Sequence, residues 1–194
     1  IRRPPRSPLF PYTTLFRSWL NKYPNHNVVD LRGNVQTRMQ KLTDNNWQGA
    51  IFAAAGLERL NENTADAIAL DWMVPAPAQG AIVIVGLEKN TEVCEKVSKL
   101  NHAETQICTH IERQFLRTLE GGCTAPIGAL ATVENDRVEF HGTLHSLDGK
   151  EQFSIKKSCT LASYKSFGTE MATKLLNTEA KPLMERHKKE LKVK

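Results

Sequence analysis

The chain has 194 residues, of which 40% are hydrophobic, and a net charge of +5. This length can bury one or two modest cores, but no segment approaches the roughly 18 consecutive apolar residues of a membrane-spanning helix. The positive charge lies at the two ends: residues 1–18 hold four arginines and no acidic residue, and residues 181–194 hold six basic and two acidic residues. Residues 19–180 are therefore mildly acidic, and neither a nucleic acid nor a membrane is expected as a partner.

The first 18 residues differ from all that follow. They contain four prolines and no clear hydrophobic period, which argues against a packed element. They also lack the continuous apolar core of a secretory signal. The segment resembles translated sequencing-adapter DNA fused in frame to a coding fragment, and a genuine Pro/Arg-rich arm is the alternative. We expect it to make no packed contacts with the rest of the chain.

From Trp19 onward, short apolar runs alternate with helical patterns. Val35, Met39 and Leu42 share one stripe of a predicted helix. The predicted elements are a strand over 27–31, a helix over 33–42, a strand over 50–54 and a short helix over 55–60. Strands and helices that alternate at this spacing indicate a parallel α/β layer.

A proline-interrupted connector over 72–78 is a candidate hinge. The apolar run over 80–86 follows it, and its length fits a buried strand better than a helix. We place a domain boundary near residues 87–91, after this run.

The remaining sequence predicts an α+β unit. Ile107, Ile111, Phe115 and Leu119 recur every four residues, which marks the core face of a helix. Turn residues at 135–136 and 148–149 predict an antiparallel meander. The predicted elements are helices over 91–100, 102–119, 165–176 and 181–191 and strands over 127–133, 137–144 and 153–158.

Cys123 follows two glycines, directly after one predicted helix and before a predicted strand. A helix C-terminus disfavours a thiolate, although Arg113 and Arg117 could compensate for its negative dipole. From the residues alone, Cys123 could be structural or could anchor a covalently attached group. No CxxC pair and no spacing of cysteine with histidine predicts a metal site, and the thiols are expected to be free in a reducing cytosol. The other cysteines are interpreted as small, partly buried residues: Cys94, Cys108 and Cys159.

Two arginines flank a strand-to-helix turn at Gly33. Arg32 is expected at the end of the strand and Arg38 about one and a half turns inside the helix, so that both could face one cleft. From the residues alone, these are interpreted first as two solvated surface arginines, and a pair that binds carboxylates is the alternative. Helix N-termini at Gly33 and Gly56 offer backbone N–H groups to anions, although glycine is common at such turns. Five histidines show no partner pattern and are interpreted as surface or structural: His102, His110, His141, His145 and His187.

Four segments follow one another along the chain: RGNVQTR, AAAGLERL, PAPAQGA and ERQFLRTLEGGC. Together and in this order they resemble the porphobilinogen deaminase (hydroxymethylbilane synthase) family. The longest is ERQFLRTLEGGC followed by APIGA, which is similar to the family's cofactor-attachment segment. RGNVQTR, AAAGLERL and PAPAQGA resemble three further family segments. The resemblance implies that a dipyrromethane cofactor is attached to Cys123 through a thioether. It also implies that Arg32, Arg38, Gly33 and Gln79 bind the anionic cofactor and the polypyrrole that grows from it by addition of porphobilinogen.

The resemblance implies a fragment. The aspartate that handles protons in the family belongs to a first domain with no counterpart here, and neither Asp30 nor Asp71 fits its motif. We therefore assign no catalytic residue and expect this chain alone to be inactive, with exposed apolar surface along 81–85. We expect the full-length enzyme to be a cytoplasmic monomer. A non-catalytic anion-binding α/β module is the alternative function, and a cysteine acyltransferase is a weaker one.

The predicted fold class is α/β: part of a periplasmic-binding-protein-like domain, then a small α+β domain with a three-stranded antiparallel sheet. The predicted divisions are a non-globular leader over 1–18, half of a substrate-binding domain over 19–74, a hinge and crossing strand over 75–90, a cofactor-attachment domain over 91–180 and a basic tail over 181–194.

Overall fold

The computed structural model describes residues 12–62, 65–119 and 125–192. It is a mixed α/β protein with one three-stranded antiparallel sheet, as the fold class predicts. The helices are α1 (Tyr12–Lys22), α2 (Val35–Asp44), α3 (Ala54–Arg59), α4 (Thr91–Ser98), α5 (Ala103–Thr118), α6 (Tyr164–Leu176) and α7 (Ala180–Lys192). The strands are β1 (Ile127–Glu134), β2 (Arg137–His145) and β3 (Gln152–Thr160). In the described ranges, none of the helices has both the length and the apolar character that crossing a membrane requires.

The chain forms two compact units: residues 27–71 are one, and the remainder is the other. The predicted divisions after residues 74, 90 and 180 stay predictions.

The sheet is the predicted meander, in the order β1-β2-β3. Asn135 and Asp136 connect β1 to β2 with φ of 49° and 59°, so both lie in the left-handed region that a two-residue hairpin turn requires. Gly149 has a φ of 76° in the second connection, where a residue with a side chain would be strained. Turn chemistry thus sets the register of both hairpins.

The core lies between this sheet and the helices α5 and α6. The predicted stripe of α5 is confirmed, because Ile111, Phe115 and Leu119 are fully buried. The ring of Phe115 lies over Gly142 of β2, where a Cβ would come within 2.5 Å of it. Gly168 of α6 allows a similarly close approach to the backbone at Ile111. Two glycines therefore permit the tight contacts of α5 with the sheet and with α6.

The expectation that residues 1–18 make no packed contacts is wrong for residues 12–18. They begin α1, whose Thr14 is 2% exposed and donates to the carbonyl of Ile127 at 3.2 Å. Ser18 is also buried and is hydrogen-bonded to His145 Nε2 at 3.2 Å. Residues 1–11 lie outside the described ranges, and the adapter origin of the segment stays a prediction. The prediction failed because it relied on apolar periodicity, whereas these residues pack through hydrogen bonds. Thr14 and Ser18 have small polar side chains that fit beside the buried ends of β1 and β2.

The unit of residues 27–71 contains α2 and α3 but neither predicted strand. Residues 27–31 and 50–54 are not paired as strands, so these two predictions are wrong, and Ala54 belongs to α3. A strand exists only through hydrogen bonds to a neighbouring strand. The stripe of Val35, Met39 and Leu42 is only half-buried. This unit of 45 residues is too short to build a core of its own.

The run over 80–86, in the larger unit, is not a strand either. Its side chains are exposed: 87% for Ile82, 68% for Val83, 53% for Ile84 and 86% for Val85. The expected exposed apolar surface along 81–85 is therefore confirmed, while the predicted strand itself is not formed. A continuous apolar run without a partner on either side marks a surface that another segment or chain normally covers.

Candidate functional site

The N-terminus of α2 brings Arg32, Gly33 and Arg38 together. Gly33 has a φ of 125°, and a Cβ there would come within 2.8 Å of the Thr37 side chain. Asn34 then caps the helix, since its side-chain oxygen accepts from the Thr37 N–H at 2.8 Å. Only glycine can adopt this backbone conformation before the helix without strain. Gly33 therefore sets the path of the backbone between Arg32 and Arg38.

The arginines make different local contacts. Arg38 lies in the first turn of α2 and donates from Nε to the carbonyl of Gly33 at 2.9 Å. Arg32 precedes the helix and pairs with Asp30, with Nε to Oδ2 at 2.6 Å. Both members of that pair are more than half exposed, so the pair contributes little stability and an incoming carboxylate could replace Asp30. Lys41 Nζ donates to the carbonyl of Arg32 at 3.0 Å and adds a third cation.

Gln79 belongs to the larger unit and closes a tight turn. Its N–H donates to the carbonyl of Ala76 at 3.0 Å, and its side-chain oxygen accepts from the Ala76 N–H at 3.1 Å. Ala78, between them, has a φ of 58°, which alanine adopts only when its surroundings enforce it. The side-chain oxygen of Gln79 thus forms a hydrogen bond within the turn, and the residue is exposed to solvent.

Glu112 accepts a hydrogen bond from that turn, and our sequence reasoning missed this residue. It is 5% exposed and accepts from the Ala78 N–H at 2.7 Å and from the Ala131 N–H at 2.8 Å. Burial raises the pKa of Glu112 above its ordinary value, while the two N–H bonds act in the opposite direction. The available signal was its position on α5, one residue after Ile111 and three residues before Phe115, beside the core-facing stripe, where an acidic residue needs a specific reason.

Cys123 lies outside the described residues, as do the two glycines before it. Residues on both sides in the sequence are buried: Leu119, which directly follows α5, then Ala125 before β1 and Ile127 at its start. The structure therefore describes the two elements between which Cys123 falls in sequence.

The interpretation of the other three cysteines as small, partly buried residues is confirmed. Cys94, Cys108 and Cys159 are free and half-buried. Burial raises the pKa of the Cys108 thiol, with Glu112 and Glu104 adding to the effect, and burial also raises that of Cys159. Raised thiol pKa values make these two side chains poor nucleophiles.

The histidines are surface or structural, as predicted. His102 caps α5 through Nδ1, which accepts from the Thr105 N–H at 3.3 Å. His110 and His141 make exposed hydrogen bonds to neighbouring elements. His145 and His187 are 1% and 2% exposed, so both are buried within the fold.

His145 should make the protein less stable in acid. Burial lowers its pKa from 6.5 to about 4, so between these values the unfolded chain binds more protons than the folded one. The stability contributed above pH 6.5 is lost as pH falls towards 4, by at most roughly 3 kcal/mol. Urea denaturation at pH 7 and pH 4.5 should show a smaller loss in His145→Gln than in the unsubstituted chain. The exposed His110→Gln is the control, and equal losses in all three proteins would contradict the prediction.

The fold and the candidate residues define an α/β protein with a basic, glycine-dependent helix N-terminus suited to anions. Two family models match the chain: "Porphobilinogen deaminase, dipyromethane cofactor binding domain" over residues 17–95 and "Porphobilinogen deaminase, C-terminal domain" over residues 106–177. The chain belongs to the porphobilinogen deaminase family. The first match contains Arg32, Gly33, Arg38 and Gln79, and the second contains Cys123.

Curated relatives support the same assignment. A porphobilinogen deaminase of Pelotomaculum thermopropionicum is 38% identical over 84% of this chain and 53% of its own length. One of Campylobacter hominis is 37% identical over 86% of this chain and 55% of its own length. One of Chloroherpeton thalassium is 43% identical over 72% of this chain and 44% of its own length. The chain thus spans about half the length of the curated relatives it matches.

Proposed function

We propose that this chain is the C-terminal part of a hydroxymethylbilane synthase. That enzyme joins four porphobilinogen units, each losing ammonia as a new carbon–carbon bond forms, on a dipyrromethane cofactor attached to Cys123. The observation that carries the proposal is the match of both family models, in order, to residues 17–95 and 106–177. The order of the four motifs in the sequence supports it further.

The basic turn at α2 fits the chemistry of such a cofactor. Pyrroles of this type carry acetate and propionate side chains, so the bound chain is strongly anionic. Guanidinium groups form paired hydrogen bonds with carboxylates, and the N-terminus of α2 adds a positive dipole end. We assign Arg32 and Arg38 to carboxylate binding, Gly33 to the shape of the turn, and Gln79 to the cleft beside the hinge. When bound, the cofactor supplies the pyrrole carbon to which the next unit is joined.

Arg32→Leu or Arg38→Leu should leave the cofactor attached and slow chain elongation. Each substitution removes a charge-assisted contact of roughly 1.5–3 kcal/mol, or about tenfold to a hundredfold in rate. The test uses the chain extended N-terminally to the length of its relatives, with intact mass for attachment and porphobilinogen consumption for elongation. Arg59→Leu, which removes an exposed arginine of α3, is the matched control. Normal elongation in both arginine variants would refute the carboxylate role.

The chain alone should consume no porphobilinogen. In our proposal the proton-handling aspartate of the family belongs to a part that this sequence does not contain, so no catalytic residue is assigned here. A turnover assay with the 194-residue chain, beside the extended chain as positive control, measures this directly. Conversion of porphobilinogen by the short chain would contradict the fragment interpretation.

Intact mass separates the proposed function from a non-catalytic anion-binding module. A dipyrromethane adduct on Cys123 of the extended chain supports the enzyme, and a bare thiol supports the module. The colour reaction of pyrroles with an aldehyde reagent is a quicker version of the same test.

We also propose a cytoplasmic compartment, a monomeric full-length enzyme, and no nucleic-acid or membrane partner. The free thiols of Cys94, Cys108 and Cys159 are compatible with a reducing compartment. Sedimentation of the extended chain tests the monomer, and a dimer at micromolar concentration would overturn it.

A further inference from the structure

Glu112 is the one acidic side chain that is buried among the described residues. Each of its two oxygens accepts one backbone N–H, from Ala78 at 2.7 Å and from Ala131 at 2.8 Å. A carboxylate that receives two such bonds is held firmly, since bonds to a charged acceptor are about twice as strong as neutral ones. Removal of either bond would leave a buried polar group without its partner.

The Ala131 N–H is available because β1 is at the edge of the sheet. Alternate N–H groups of β1 point away from β2, and the one on Ala129 donates to the carbonyl of Pro75 at 2.9 Å. The next one, on Ala131, donates to Glu112. The free edge of β1 is therefore covered by the connector at Pro75 and by a side chain of α5.

The Ala78 N–H belongs to the turn that contains Gln79. Hydrogen bonds between Ala76 and Gln79 close the turn, and the left-handed conformation of Ala78 directs its N–H outward to Glu112. One carboxylate thus joins three parts of the chain: α5, the first strand of the sheet, and the connector that leads to the exposed run over 82–85. The two elements it joins to the connector are those on either side of Cys123 in the sequence.

We propose that Glu112 is a positioning residue for the reaction, holding the Gln79 turn in a fixed place relative to α5 and β1. This inference rests on the proposed function, in which Gln79 lies in the cleft beside the hinge and Cys123 carries the growing chain. Glu112 has no contact with substrate in this role. It acts through the turn, since a turn with a strained alanine would relax without its buried acceptor.

Amide hydrogen exchange in the 194-residue chain tests the positioning itself. Glu112→Gln keeps the volume but replaces one acceptor oxygen with an NH₂ group, which faces a backbone N–H. The amides of Ala78 or Ala131 should then exchange about tenfold to a hundredfold faster, and those of Phe140 and Leu144 in β2 should not change. Glu104→Gln, an exposed substitution on the same helix, is the control. Unchanged exchange at both alanines would overturn the proposal.

Kinetics of the extended chain test the consequence. Glu112→Gln should still carry the dipyrromethane adduct, but kcat per adduct-bearing molecule should fall about tenfold with little change in KM. A purely structural role would lower the amount of folded protein and leave kcat per adduct-bearing molecule unchanged, which would overturn the role of Glu112 alone. If the unsubstituted extended chain carries no adduct, the proposed function is wrong, and the part of Glu112 in the reaction is wrong with it.

Discussion

Cys123→Ser in the extended chain should abolish both cofactor attachment and turnover. A thioether needs the sulfur, and a serine hydroxyl is a far weaker nucleophile near neutral pH than a thiol. Intact mass should show the protein without an adduct, and porphobilinogen consumption should fall to background. This is the largest functional effect that our proposal predicts, because every addition takes place on the group that Cys123 carries.

Cys94→Ser is the matched control for Cys123→Ser. Cys94 is a free, half-buried thiol on α4, with Sγ 3.6 Å from the carbonyl of Leu87. Serine can make the same contact, so adduct and turnover should be retained. An adduct that persists in Cys123→Ser and disappears in Cys94→Ser would move the attachment site and refute our assignment.

Phe115→Ala should destabilise the larger unit by about 3–5 kcal/mol. The ring is fully buried and packs edge-to-face on Phe140 at 5.1 Å between centroids, above the space that Gly142 leaves. Truncation opens a cavity between α5 and β2 that neither element can close without moving. Urea denaturation at pH 7, followed by tryptophan fluorescence and far-UV circular dichroism, measures the loss.

Leu116→Ala, one residue further along α5, is the control for Phe115→Ala. Leu116 is only half-buried, so its truncation should cost clearly less. Phe115→Leu preserves most of the volume and keeps the comparison possible if the alanine variant does not fold. Equal costs for Phe115→Ala and Leu116→Ala would show that α5 is not anchored through Phe115.

Elements with a strong local signal were predicted well. The four-residue repeat of α5 and the turn residues of both hairpins placed the helix and the meander to within two residues at each end. A stripe of apolar residues and a left-handed turn are encoded in neighbouring residues, so sequence alone carries them. Gly33 was predicted as the first residue of a helix, whereas it precedes the N-cap with a φ of 125°, so its special conformation became visible only in the structure.

Strands that need a distant partner were predicted wrongly. Residues 27–31, 50–54 and 80–86 have the composition of buried strands, yet none is paired. Apolar composition shows that a segment is suited to a sheet, whereas pairing depends on a neighbouring strand that can be distant in the sequence. Residues 82–85 have the apolar composition of a buried strand, but their side chains are exposed because no neighbouring strand in the described part of the chain pairs with them.

The sequence by itself determined the family, the α/β class, the core stripe of α5, the hairpins and the basic turn of Arg32, Gly33 and Arg38, because motif order, period and turn chemistry are local properties. Only the tertiary structure decided that α1 packs on the sheet through Thr14 and Ser18, and that Glu112 fixes the turn of Gln79. These depend on hydrogen bonds between groups up to 127 residues apart, and each forms where a buried polar group requires a partner.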